Sequence, residues 1–129
     1  MVKSAGQLFI AGAQLTVPLV TIVLRKFYGL GAMAMSGGTL KAPFLTVAWP
    51  SGEFGPMGLE GFVRLGYRRE LESVDDPDER QALYEKLVAE LYEKGKAISV
   101  ASYFEIDDVI DPMQSRELIV KALRSQSKR

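Results

Sequence analysis

The groups best placed to do chemistry in this sequence are backbone amides rather than side chains. Gly29-Leu30-Gly31 lies between an apolar run and a stretch of small residues. A glycine turn feeding a helix leaves its first N–H groups without intrahelical acceptors and pointing outward. Two reactive uses follow. One is an oxyanion hole, in which the amides stabilise charge developing on a carbonyl or enolate oxygen. The other is a phosphate cradle: Gly29-x-Gly31-x-x-Ala34 fits the dinucleotide fingerprint, with Glu53 as a ribose acid. A tight turn that needs glycine for steric reasons alone satisfies the same spacing. Gly55-Pro56-Met57-Gly58 reads as a second amide-rich helix start, or as a plain proline turn. One such start after each strand would let the two face a single cleft at the strands' carboxyl ends.

The side chains narrow the field further. The sequence contains neither Cys nor His. That excludes disulfides, thiolate nucleophiles, His-based triads and imidazole-liganded zinc. Carboxylates, Lys, Tyr, hydroxyls and backbone N–H groups are what remain. Arg64, Arg68 and Arg69 share roughly one helix face, and pairing with Glu60, Glu70 or Glu72 on a solvated surface accounts for them better than a phosphate site. Asp107, Asp108 and Asp111 lack the oxygen-rich spacing of a calcium loop, and Asp111 reads as a helix cap, so no metal site is expected. Met33, Met35 and Met57 read as core or pocket lining. Sixteen basic residues balance sixteen acidic ones, which gives no field of one sign for nucleic acid or an anionic membrane.

The elements that must hold these groups fit one domain of 129 residues. Ser4 to Leu24 carries no charge, but it contains Gln7, Gln14 and Pro18, which are costly in hydrocarbon. A buried helix over 4–15 and then a buried strand over Leu19–Leu24, separated at Pro18, is the expected reading, not a membrane span. A short helix starts at Ala32–Met35 and is closed by Ser36-Gly37-Gly38. Phe44–Trp49 is a second strand. A helix from Gly58 to about Glu72 follows. Asp76-Pro77 with Glu79 marks the next start, Leu83, Leu87 and Leu91 give its apolar stripe, and Gly95 reads as a left-handed stop. Ile98–Phe104 reads as a weak strand or loop. Asp111-Pro112 starts a last helix with Leu118, Ile119, Ala122 and Leu123 inward. The alternation is α/β with crossover connections. Two visible strands are too few for a free-standing sheet.

Four segments in this order resemble a known family. They are Val20–Gly31 (VTIVLRKFYGLG), Ala48-Trp49-Pro50-x-x-Glu53, Met57–Gly61 (MGLEG), and Ile106–Pro112 (IDDVIDP) with Arg116. They are similar to the biotin-dependent carboxyltransferases, and within them to the end of the beta subunit of acyl-CoA carboxylases such as propionyl-CoA carboxylase. The resemblance runs from Ser4 to Leu123. It implies a crotonase-like fold of ββα superhelical units, present here as a partial domain. Residues 1–124 would be the C-terminal portion of the biotin-side domain, and 125–129 a disordered tail.

The resemblance further implies carboxyl transfer from carboxybiotin to an acyl-CoA, with biotin on a carrier protein or domain. Gly29, Leu30 and Gly31 would supply the backbone oxyanion hole. Ala32, Met33, Met57 and Gly58 would line the biotin or acyl pocket. The implied partners are the remaining carboxyltransferase domain or subunit, a biotin carboxylase or biotin carrier subunit, and further copies in a homo-oligomer. The setting would be cytoplasmic, without membrane or nucleic acid. Many family members carry Gly-Gly or Gly-Ala and then an aromatic where this chain has Leu30-Gly31-Ala32. The matched stretch is only the final part of the second domain, so a chain inactive alone is expected. A nucleotide-binding α/β module and a non-catalytic assembly fragment are the alternatives. Arg25-Lys26 before the glycine turn is unusual for a dinucleotide site and ordinary for the resembled family.

Overall fold

The computed structural model describes residues 2–126. Helix α1 (Val2–Ala13) ends before Pro18, where a helix and a strand were expected to part, and strand β1 (Val20–Val23) follows. A very short strand β2 (Lys26–Tyr28) leads directly into helix α2 (Gly29–Met35). The pattern then repeats. Strand β3 (Leu45–Ala48) and short strand β4 (Glu53–Gly55) precede helix α3 (Leu59–Gly66). Strand β1 pairs parallel with β3, and β2 pairs parallel with β4, so the two ββα units stack in the same direction. A third unit starts with strand β5 (Asp108–Val109), which adds to β3 in parallel. The result is a three-stranded sheet of order β1-β3-β5 beside a two-stranded sheet β2-β4.

The three added strands are too short to announce themselves by alternation. Their stability comes from each other: Phe27 of β2 and Phe54 of β4 face one another at 5.5 Å between ring centroids. Val23, Ala48, Phe54, Ala97 and Ile106 form the core between the two sheets and the following helix. The aspartates of the Ile106–Pro112 segment seat β5. The Asp107 carboxylate accepts from the Thr46 N–H at 2.7 Å, and the Asp107 N–H donates to the Thr46 carbonyl at 2.8 Å. This is a backbone-like pairing made by a side chain, and it accounts for Asp107 without a metal. Asp111 caps the 3-10 turn Pro112–Gln114 in a full capping box with Gln114, and helix α7 (Ser115–Gln126) follows.

Several expectations are corrected. The helix expected from Gly58 to Glu72 breaks at Tyr67 into α3 and α4 (Arg68–Glu72). The segment read as a weak strand or loop over Ile98–Phe104 is helix α6 (Ala97–Ser102), because it packs end-on to α5 (Pro77–Gly95) and buries Ala97 fully. Asp76 caps α5 by accepting from the Asp78 N–H at 2.9 Å. Gly95 is not a left-handed stop but the last residue of α5. A Cβ there would lie 2.4 Å from the Phe54 carbonyl oxygen, so glycine is needed for close approach of α5 to β4. Helix α1 is not buried, since Leu8 and Ile10 are exposed. Ser125 and Gln126, expected in the tail, belong to α7, and 127–129 lie outside the described residues. Among the described residues, no helix is long and apolar enough to cross a membrane.

Candidate functional site

Parallel pairing of β2 with β4 brings the two glycine turns together. Tyr28 stands opposite Gly55 in the register, so Gly29 and Pro56 emerge side by side from the strands' carboxyl ends. The junction is backbone against backbone: a Cβ on Gly29 would lie 3.0 Å from the Pro56 carbonyl oxygen. Gly29 also has φ of 67°, in the left-handed region that glycine enters without steric cost. The expected meeting of the two turns in one cleft is therefore found, on β2 and β4 rather than on the longer strands.

A cleft of about 670 Å³ opens beside this junction. Gly29, Leu30, Met33, Gly55 and Pro56 form one side, with Phe27 and Phe54 behind them. Thr39, Leu40 and Lys41 of the loop after α2 and Val100 and Glu105 from around α6 close the other side. The volume suits a drug-sized ligand, and the mainly apolar wall with few polar groups is the usual make-up of such a site. Gly31 is exposed on the first turn of α2, with open space where a Cβ would stand.

The anticipated pocket residues divide three ways. Met33 lines the cleft. Ala32 turns instead to a groove along β1, with Met35. Met57 and Gly58 are exposed outside the cleft lining, and the Met57 methyl lies towards Gly61 of α3. Sequence reasoning missed Phe27, Leu40, Lys41, Phe54, Val100 and Glu105. For Phe27 and Phe54, each two residues or fewer before a glycine turn, the signal was present; for Lys41 and Glu105 there was none. The arginines resolve as surface groups: Arg68 pairs with Glu72 at 2.7 Å, and the Arg64 guanidinium lies 5.4 Å from the Tyr84 ring centre.

The face of the β2-β4 pair away from the phenylalanines is polar. The Tyr28 hydroxyl donates to Glu53 at 3.0 Å, tying the residue before the turn to the neighbouring strand. The Tyr92 hydroxyl of α5 donates to Glu60 of α3 at 2.7 Å and holds the Glu60 carboxyl below its ordinary range. Burial raises the Tyr28 phenol well above its ordinary value, with the Glu53 hydrogen bond adding to the shift. A folded-state value raised in this way protects the neutral phenol. Its contribution to stability is complete below the unfolded value of about 10 and is lost as pH rises towards the folded value. Urea midpoints at pH 8 and pH 11 are expected to fall more for the wild type than for Tyr28→Phe. Equal alkaline losses in the two proteins would show that Tyr28 titrates freely.

Parallel ββα units stacked beside an apolar cleft define a crotonase-like architecture. The chain belongs to the carboxyl transferase domain family, which matches residues 1–129. It is 36% identical over 123 residues to the methylmalonyl-CoA carboxyltransferase 12S subunit of Propionibacterium freudenreichii subsp. shermanii, covering 95% of this chain and 23% of that protein. It is 36% identical to the propionyl-CoA carboxylase carboxyltransferase subunit of Haloferax mediterranei, again covering 23% of it and 96% of this chain. Among solved structures, a transcarboxylase 12S hexamer with methylmalonyl-CoA and methylmalonic acid bound superposes with a TM-score of 0.86 at 32% identity, over 99% of this chain and 24% of that one. A single-chain, multi-domain long-chain acyl-CoA carboxylase gives 0.75 at 56% identity, over 94% of this chain and 12% of that one. The chain thus spans about a quarter of the length of the curated relatives it matches.

Proposed function

We propose that residues 1–124 form the biotin-side part of an acyl-CoA carboxyltransferase site, which is complete only with the rest of such an enzyme. The observation that carries this reading is the apolar cleft at the Gly29–Pro56 junction, where two parallel strands deliver glycine turns to one place. The fit to biotin is chemical. Phe27, Leu30, Met33 and Phe54 suit an apolar bicyclic ring, and the amides of Gly29 and Leu30 on the cleft lining, with that of Gly31 one position beyond it on the first turn of α2, suit a ureido oxygen. When bound, carboxybiotin supplies the carboxyl group. This chain's part is to hold the ring against the phenylalanines, to donate N–H groups to developing negative charge, and to exclude water from the cleft. Neither His nor Cys is needed for any of these tasks.

The acyl-CoA, a biotin carrier and further copies of the subunit are proposed as partners, in a cytoplasmic setting. The 56% identity to a long-chain acyl-CoA carboxylase favours a long acyl group over propionyl. The chain alone is expected to transfer no carboxyl group, and to do so when assembled with the missing length of a carboxyltransferase subunit. Carboxylation of palmitoyl-CoA and propionyl-CoA by carboxybiotin, assayed with the chain alone and assembled, tests both halves. Turnover by the chain alone overturns the incompleteness, and absence of turnover by a folded assembly overturns the function. A preference for propionyl-CoA overturns the long-chain assignment only.

A further inference from the structure

The cleft has two charged side chains on its lining, Lys41 and Glu105. They reach it from different elements: Lys41 from the loop between α2 and β3, Glu105 from the segment between α6 and β5. The Lys41 backbone is fixed, because its N–H donates to the Thr39 hydroxyl at 2.9 Å. Its ammonium crosses the mouth of the cleft to donate to the Phe104 carbonyl. Phe104 has φ of 59°, a left-handed conformation that a bulky residue takes only when its surroundings demand it. Burial does not repay that conformation, since the Phe104 residue is 82% exposed. It closes α6 instead: the Phe104 N–H donates to the Ala101 carbonyl at 2.9 Å and the Glu105 N–H to the Val100 carbonyl at 3.3 Å, a Schellman stop that leaves the Phe104 carbonyl free to meet Lys41.

An ammonium has three N–H donors, and one carbonyl takes one of them. The exposed Lys41 therefore keeps donors for a second acceptor at the edge of an otherwise apolar wall. There a charge-assisted hydrogen bond to a carboxylate is stronger than in bulk water. Glu105, the other charged residue of the same wall, repels an anion, so a carboxylate at the mouth is held by the Lys41 ammonium.

We propose that Lys41 is a specificity residue that holds the carboxylate of a carboxylated cyclic urea at the mouth of the cleft, favouring it over the uncarboxylated urea. This rests on the reading that biotin occupies the cleft. The probes are 2-imidazolidinone and its stable N-carboxymethyl derivative, with dissociation constants measured by saturation-transfer NMR on the 129-residue chain assembled with the missing length of a carboxyltransferase subunit. The carboxymethyl compound is expected to bind about tenfold more tightly to the wild type. In Lys41→Met that ratio falls to near one while the neutral urea binds as before, and Lys41→Arg keeps most of it. An unchanged ratio in Lys41→Met, failure of both probes to bind the wild type, or loss of both affinities in Lys41→Met with Lys41→Arg normal overturns the proposal. Carboxyl transfer by the assembled enzyme is scored separately. Transfer without the Lys41-dependent ratio defeats this inference alone, and the ratio without transfer defeats the functional reading alone.

Discussion

In an assembled carboxyltransferase, Gly31→Pro is expected to lower kcat by ~10²–10³-fold, the loss seen when one oxyanion donor is removed. Gly31→Ala is expected to stay within a few-fold of the wild type. The contrast isolates the amide. Space is open where a Cβ on Gly31 would stand, and its φ lies outside the left-handed region, so alanine fits without strain. Proline fits the φ of a first helical turn but removes the N–H. Proline also disfavours helical geometry at Leu30, the residue before it, so folding is checked by circular dichroism and by the urea midpoint. Steady-state kinetics of both variants decide the matter. A folded Gly31→Pro enzyme with wild-type kcat would make the Gly29–Gly31 turn structural only.

The same turn shows what the sequence carried and what it did not. The glycines and the long apolar runs were legible because their reasons are local. Gly29 needs a positive φ, and Val20–Val23 and Leu45–Ala48 are rich in β-branched or apolar residues, whereas α1 ends at Ala13, well before the Pro18 expected to stop it. Asp111 was legible as a cap for the same reason, and it makes one. The strands β2 and β4 were not legible. Lys26–Tyr28 and Glu53–Gly55 are each three residues long and owe their conformation to one another. The cleft exists only because they pair, so its far wall at Leu40, Lys41, Val100 and Glu105 had no signature in any single segment. Gly95 misled for a related reason: the contact that demands glycine is with Phe54, forty-odd positions away in the chain. Met57 and Gly58 were placed in the pocket by the resemblance, and in this chain both are exposed outside the cleft lining.

The chain alone is expected not to persist as a monomer at micromolar concentration. Strand β1 is an edge of its sheet, with backbone groups on its outer side that no strand among the described residues pairs. Apolar side chains gather around that edge. Leu24 is 50% exposed and Met35 76%, and α1 leaves Ile10 uncovered nearby in the sequence, followed by Val17 at 64%. An open strand edge is a template for pairing with another chain, and a contiguous apolar surface drives association. Helix α7 packs on β1 but supplies no strand to its open edge, while α3 and α5 pack on one another, and α5 on β4, at the other sheet. A further ββα unit continuing the stack beyond β1 and β2 would run parallel to them, as β3 and β4 do on the inner side. Light scattering is expected to report masses well above 14.2 kDa, with an unfolding midpoint that rises with protein concentration. Addition of the missing length of a carboxyltransferase subunit is expected to replace that self-association with a defined complex. A sharp 14.2 kDa species with concentration-independent, cooperative unfolding would show instead that three short parallel strands and their helices close a stable core unaided.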